Sequence, residues 1–209
     1  MANIDAPKGF VPVRHMNGSA WNGQLQMFLI PSSDGTAVFV GDIVKTAGSS
    51  GAAGTVVNGI DVEGMQTVAL ATAGTTGQDI VGVVRGFLPD FTDLTKKHRA
   101  ASTARIALVV TDPTVVYEVQ EDADTTPIAA ASVGLNVAYT TTAGNSTTGV
   151  SKMEIDSTTV ATTATLPLKV LGLAKRPDNA FNTGGAGTDK AKFEVVFNTG
   201  LFMPNTAGA

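Results

Sequence analysis

Turn residues interrupt this sequence about every ten residues and separate short runs that are rich in valine, isoleucine and threonine. β-Branched side chains fit the pleated surface of a sheet, whereas Gly, Pro, Asn and Asp supply the dihedral angles of tight turns. Many short strands with regular turns are typical of a β-sandwich or a β-barrel, so the sequence predicts an all-β fold. Strands are predicted at residues 25–30, 37–40, 43–44, 65–71, 80–88, 105–110, 115–120, 136–139, 150–155, 168–174 and 192–197.

The last predicted strand has a clear inward face. Phe193, Val195 and Phe197 alternate with Glu194 and Val196, so the odd positions are expected to point into the core.

At most one short helix is predicted, at residues 92–101. Thr92 is a suitable N-cap, and Asp93 would lie in the first turn. The β-rich domain is predicted to cover residues 23–209. A loop near 121–132 leaves open a division of that domain into two β subdomains.

Residues 1–22 are predicted to form an extended docking arm. Pro7, Gly9 and Pro12 disfavour a helix, and the residue before each proline is pushed towards extended geometry. Because the arm also carries apolar side chains, it needs a surface to lie on, either its own domain or a neighbouring subunit. Trp21, near the end of the arm, suits a core plug as well as an interface anchor. The predicted partner-binding residues are Phe10, Val11, Val13, Arg14, His15 and Trp21.

The composition disfavours catalysis. There is no cysteine, there are two histidines, and charged residues make up 15% of the chain, whereas catalysis usually draws on Cys, His or clustered carboxylates. The glycine-rich run at 184–188 lacks the Lys-Ser/Thr ending of a phosphate-binding loop. The acidic residues between Asp112 and Asp124 offer oxygen ligands for Ca²⁺, but without the spacing of a calcium loop they are better interpreted as a solvated turn. No enzyme activity, catalytic residue, cofactor or metal site is therefore predicted.

Charge and hydrophobicity also limit the kinds of partner that the sequence predicts. The net charge of −4 gives no basic field for nucleic acid, and the densest basic stretch is only residues 96–99. The longest clean apolar run, residues 106–110, is too short to span a membrane. The first residues do not resemble a signal peptide, so synthesis in a cytoplasm is expected. Neither nucleic acid nor a membrane is a predicted partner.

Short motifs in a consistent order give the chain a resemblance to a known family. The motifs are residues 6–15 (APKGFVPVRH), 41–44 (GDIV), 80–83 (IVGV), 112–120 (DPTVVYEVQ), 149–151 (GVS), 170–173 (VLGL) and 176–179 (RPDN). Together they resemble the capsid cement or decoration proteins of tailed bacteriophages. The resemblance implies a β-rich structural protein on the outer surface of the phage head. It further implies docking on the major capsid protein and assembly with itself as a dimer or trimer.

Two other functions remain open from the sequence. Tail or fibre components of such phages have similar compositions. A glycan-binding β-sandwich is the alternative from another class, although aromatic residues, which such sites use, are only 6% of the chain.

Overall fold

The computed structural model describes residues 3–73, 78–181 and 190–201. Within these residues the chain forms thirteen strands and one short 3-10 helix at Ala130–Ser132, which confirms the predicted all-β class. The strands are β1 (Val11–His15), β2 (Gln26–Ile30), β3 (Ile43–Ser50), β4 (Val56–Val57), β5 (Ile60–Asp61), β6 (Gln66–Leu70), β7 (Ile80–Phe87), β8 (Arg105–Val110), β9 (Val115–Gln120), β10 (Asn136–Thr140), β11 (Glu154–Ala161), β12 (Leu168–Leu173) and β13 (Lys192–Phe197). The glycine-rich run at 184–188 lies outside the described residues.

Five strands close into a small barrel in the order β2-β6-β3-β7-β8. Most neighbours are antiparallel, and a parallel contact between Leu29 of β2 and Thr67 of β6 closes the ring. Alternate residues of each strand point inward, as the period of two requires, and exclude water from the interior. The interior is filled by Phe28, Ile30, Val38, Val44, Val68, Val81, Val84, Ala107 and Val109.

The remaining long strands form a six-stranded sheet in the order β1-β9-β13-β12-β10-β11. The sheet is strongly curled, because Ile155 of the last strand bridges Glu121, which directly follows β9. Phe193, Val195 and Phe197 lie in the core that this sheet encloses, as their alternation predicts.

The barrel and the six-stranded sheet share that core. Ile43, Val83 and Val110 lie on barrel strands, yet they pack in the same cluster as the interior of the sheet. The chain crosses from the barrel to the sheet at residues 111–114, between β8 and β9. The loop near 121–132, where the sequence left a division open, lies within the six-stranded sheet, and β1 joins the later strands of that sheet.

A two-stranded hairpin, β4-β5, covers one outer face of the barrel. Val57 and Val62 from the hairpin region pack on Leu29 of β2 and Ile106 of β8. This small apolar layer fixes the hairpin beside the end of the barrel.

The predicted helix at residues 92–101 is absent, and the segment is a series of turns. The Asp90 carboxylate accepts a hydrogen bond from the Thr92 backbone N–H at 3.0 Å, and Asp93 does the same for Thr95 at 3.0 Å. Such side-chain bonds to the backbone two residues on compete with a helix. The prediction was wrong because Thr92 does not cap a helix. Thr92 instead bonds to Asp90 within one of these turns.

Two predicted strands are also displaced. Residues 37–40 form only single bridges, in which Val40 pairs with Val150, and the strand predicted at 150–155 begins instead at Glu154. Residues 37–40 and Val150 therefore form isolated bridges, and only the end of the second predicted strand joins a ladder.

Candidate interaction surfaces

The N-terminal segment is part of the β domain. Phe10 is fully buried, and its ring centroid lies 6.4 Å from that of Tyr117, 6.3 Å from that of Tyr139 and 6.1 Å from that of Phe197. Of the two covering surfaces that the sequence left open for residues 1–22, Phe10 and β1 therefore lie on the chain's own β domain. A side chain that is fully buried in the core cannot contact a partner, so Phe10 is not a candidate binding residue.

Gly9 allows the chain to enter the core at this point. Its φ is +65°, and a Cβ there would lie 2.4 Å from the backbone oxygen of Gly41. The next residue, Phe10, donates its backbone N–H to that same oxygen at 2.9 Å. Only glycine tolerates both the left-handed conformation and this close approach.

The other predicted arm residues fasten β1 to its own domain. Val11 and Val13 are half-buried on the edge strand that pairs with β9. The Arg14 guanidinium lies 2.6 Å from the Glu194 carboxylate. Trp21 is half-buried and packs against the shared core, so a core role accounts for part of its surface.

His15 is held at the crossing between the two sheets. Its Nδ1 lies 3.3 Å from Oδ2 of Asp112 and 3.2 Å from Oγ1 of Thr114. These contacts join the end of β1 to the loop at 111–114 and thereby shape one wall of a neighbouring cleft.

That cleft, the junction cleft, has a volume of about 620 Å³. Leu25 in its wall is exposed, and so are Met16 and Met27 nearby. Met16 is tied to this region by its backbone N–H, which donates to the Thr114 oxygen at 2.8 Å. The cleft is lined by Gln24, Leu25, Gln26, Thr111, Asp112 and Pro113.

A second apolar surface, the apolar tip, consists of Val56, Phe91 and Leu94. Their exposed fractions are 63%, 72% and 76%. Phe91 belongs to the loop after β7 and lies over the turn of the β4-β5 hairpin, since a Cβ built on Gly59 would lie 3.6 Å from its ring. The loop after β7 and the β4-β5 hairpin therefore meet at Phe91.

Buried arginines hold the tip loop in place. The Arg105 guanidinium donates hydrogen bonds to the backbone oxygens of Leu88 at 3.3 Å, Lys96 at 3.0 Å and His98 at 2.5 Å, and so ties both ends of the loop together. Arg99, which is fully buried, is bound to loop carbonyls in the same region, and its guanidinium also lies 3.9 Å from the Asp34 carboxylate. Arg99 donates to the oxygens of Pro31, Asp34, Thr36 and Thr103.

The two surfaces lie at opposite ends of one strand pair. In the β2-β8 ladder, Gln26 beside the junction cleft is opposite Val109, whereas Ile30 is opposite Arg105, where the tip loop ends. Because each residue of a strand advances the chain by about 3.3 Å, the two ends of this strand pair are well separated. Met16, Leu25, Met27, Val56, Phe91 and Leu94 are six of the nine large apolar residues that are exposed in the described residues.

Glu121, Asp122 and Asp124, three of the acidic residues from Asp112 to Asp124, accept hydrogen bonds within the domain. Asp122 and Asp124 both accept a hydrogen bond from the Ser157 hydroxyl, at 2.8 and 3.1 Å, and Glu121 accepts backbone N–H groups. Among the described residues no group of three or more His, Asp or Glu side chains is arranged to hold a metal ion. The solvated turn predicted here is instead a set of fixed hydrogen bonds.

Two other carboxylates are perturbed by their surroundings. Burial raises the pKa of Glu154 to about 7 and that of Asp42 to about 6. Both have hydrogen-bond donors: the Gln120 side-chain amide lies 3.0 Å from Glu154, and the Phe39 backbone N–H lies 2.7 Å from Asp42. These contacts join strands and loops within the domain.

The fold and its exposed surfaces define an all-β protein in which a closed barrel and a curled sheet share one core. No protein-family model, curated protein or solved structure matches the chain. In the part of the chain that the structure describes, no helix is long and apolar enough to cross a membrane.

Proposed function

We propose that this chain is a structural protein of a phage virion, a cement protein that binds the major capsid protein on the outer surface of the head. The ordered motifs of the sequence support this function. The placement of two exposed apolar surfaces at opposite ends of a barrel strand pair also supports this function. Exposed apolar clusters on a soluble domain commonly mark sites of protein contact.

The separation of the two surfaces is the observation that carries the proposal. A protein that reinforces a shell has to contact more than one neighbour, so it needs more than one docking surface. Here the junction cleft suits contacts between copies of the chain, as a dimer or trimer, and the apolar tip suits the capsid protein. The shared core makes the body between them a single packed unit.

Binding restricted to the assembled lattice would stabilise the shell by mass action, as any selective ligand stabilises the state that it binds. Each contact need only be weak, because a closed shell repeats it many times. Neither catalysis nor contact with nucleic acid is part of this function.

The copy number in purified particles tests this function. We expect quantitative mass spectrometry of virions of the phage that encodes the chain to find it at a copy number comparable with that of the capsid subunit. Cryo-electron microscopy should place it on the outside of the head. A few copies per particle would favour a tail or fibre component, and its absence from virions would exclude a structural role.

A further inference from the structure

We propose that residues 3–6 form a strap whose attachment to the six-stranded sheet depends on pH, because one side-chain amide, that of Gln120, holds the carboxylates of Asp5 and Glu154 close together. The strap is a pH-sensitive device built into the fold, and it does not depend on the proposed function.

Polar contacts attach the strap to the domain. The Ala6 backbone N–H donates to the side-chain oxygen of Gln120, at the end of β9, at 2.9 Å. The Asn3 side chain donates to the backbone oxygen of Ala180 at 2.9 Å and accepts the Ala180 N–H at 3.1 Å. Ile4, the large apolar residue of the strap, is 62% exposed. Because little apolar surface is buried there, the attachment rests on hydrogen bonds and charge.

Gln120 brings two carboxylates to one atom. Its side-chain nitrogen donates to Asp5 at 3.0 Å and to Glu154, the first residue of β11, at 3.0 Å. The two bonded oxygens therefore lie within twice that distance of each other, where two negative charges repel. Gln120 is buried, whereas the Asp5 side chain is 50% exposed.

The surrounding charges decide which carboxylate takes up a proton. The Lys190 ammonium lies 3.1 Å from Asp5, and hydrogen bonds from Gln120 and Lys190 lower the pKa of Asp5. Asp122, which follows β9, adds a second negative charge near Glu154. Glu154 is therefore the carboxyl that is protonated first as the pH falls. The other charged residues on the elements around this pair are Lys8, Glu118, Lys152, Asp156, Arg176 and Lys192.

Burial raises the pKa of Glu154 to about 7, and the charges of Asp5 and Asp122 raise it further against the opposing hydrogen bond from Gln120. A carboxyl whose pKa is raised in the closed state stabilises that state at low pH, and this contribution is lost as the pH rises through about 7. The lowered pKa of Asp5 acts in the opposite sense, so its contribution is lost as the pH falls through that value. The strap is therefore held most firmly at mildly acidic pH.

The strap is the part that yields when both carboxylates are ionised. Glu154 lies on a strand that pairs with β10, whereas Asp5 lies on a segment without a ladder partner in the described residues. An ionised Glu154 also accepts a stronger hydrogen bond from Gln120 than a neutral one. Release of the strap therefore breaks the bonds from Gln120 to Asp5 and Ala6.

Hydrogen exchange of the Ala6 backbone amide tests this inference in the full chain. We expect its protection factor, measured by NMR and corrected for the intrinsic exchange rate, to fall about tenfold between about pH 6 and about pH 8, as the uptake of one proton allows. Glu154→Gln keeps an acceptor for Gln120 but cannot ionise, so its protection factor should stay high over the same range. Asp156→Asn is the matched control, because Asp156 lies on the same strand and bonds to Thr158.

Asp5→Asn tests the same pair from the strap and changes an exposed side chain that folding does not need. Removal of this charge should make the protection of Ala6 much less dependent on pH, even if Glu154→Gln fails to fold. Equal protection of wild-type Ala6 at both pH values would overturn the pH-dependent strap. A wild-type pH dependence in Glu154→Gln or in Asp5→Asn would also overturn it.

Discussion

A chain that lacks residues 1–16 should fail to fold. The deletion removes β1, which covers the edge of β9, and removes Phe10 from the centre of an aromatic cluster. Phe10→Ala alone should destabilise the protein by about 3–5 kcal/mol, because it leaves a cavity in a packed core. Circular dichroism and thermal melting of both variants measure these effects.

Arg14→Ala is the control for that experiment. It removes a partly exposed ion pair on the same strand, and such a pair contributes only about 0–1 kcal/mol. A truncated protein with the native circular dichroism spectrum and melting behaviour would contradict the structure and restore residues 1–16 to the role of a detachable arm.

Val195→Asp should also unfold the protein. Val195 is fully buried in the shared core, where it faces Val170 on β12 and Tyr117 on β9. A lone carboxylate there would lose its hydration without gaining a partner. This costs several kcal/mol, which is a large part of the free energy of unfolding of a typical domain. Val133→Asp makes the same chemical change at an exposed position and should keep the native melting temperature. An unchanged melting temperature for Val195→Asp would show that β13 is oriented differently.

The sequence predicted the fold class and most strands because their signals are local. The alternation in β13 placed Phe193, Val195 and Phe197 on one face, and the structure buries these three side chains together. The pairing of strands was not predictable in this way. Val11 of β1 lies opposite Glu118, more than 100 residues later, and no short-range pattern specifies such a contact.

The helix predicted at residues 92–101 failed for a reason that is visible in retrospect. Asp90 and Asp93 each precede a threonine by two residues, and each carboxylate bonds to that threonine. This repeated spacing is a signal for turns, and it competes with the capping signal of Thr92. Buried arginines then complete the loop through contacts that no sequence pattern reveals.

The sequence predicted only part of the candidate surfaces. An extended apolar segment needs a covering surface, but the pattern does not tell whether that surface belongs to its own chain, and Phe10 lies in its own core. The same pattern named Trp21 and His15 as partner-binding residues, whereas in the structure Trp21 packs against the shared core and His15 contacts Asp112 beside the junction cleft. Phe91 and Leu94 were missed because isolated apolar residues in a polar segment resemble one face of a helix.

The retention of DNA by heads with and without this protein tests the cement function most directly. Heads that lack it should assemble and package DNA but release it on milder heating or milder osmotic shock than complete heads. Addition of the purified protein should restore retention, because binding to the assembled lattice stabilises it by mass action. If heads without the protein hold their DNA as well as complete heads under the same conditions, the chain is not a cement protein.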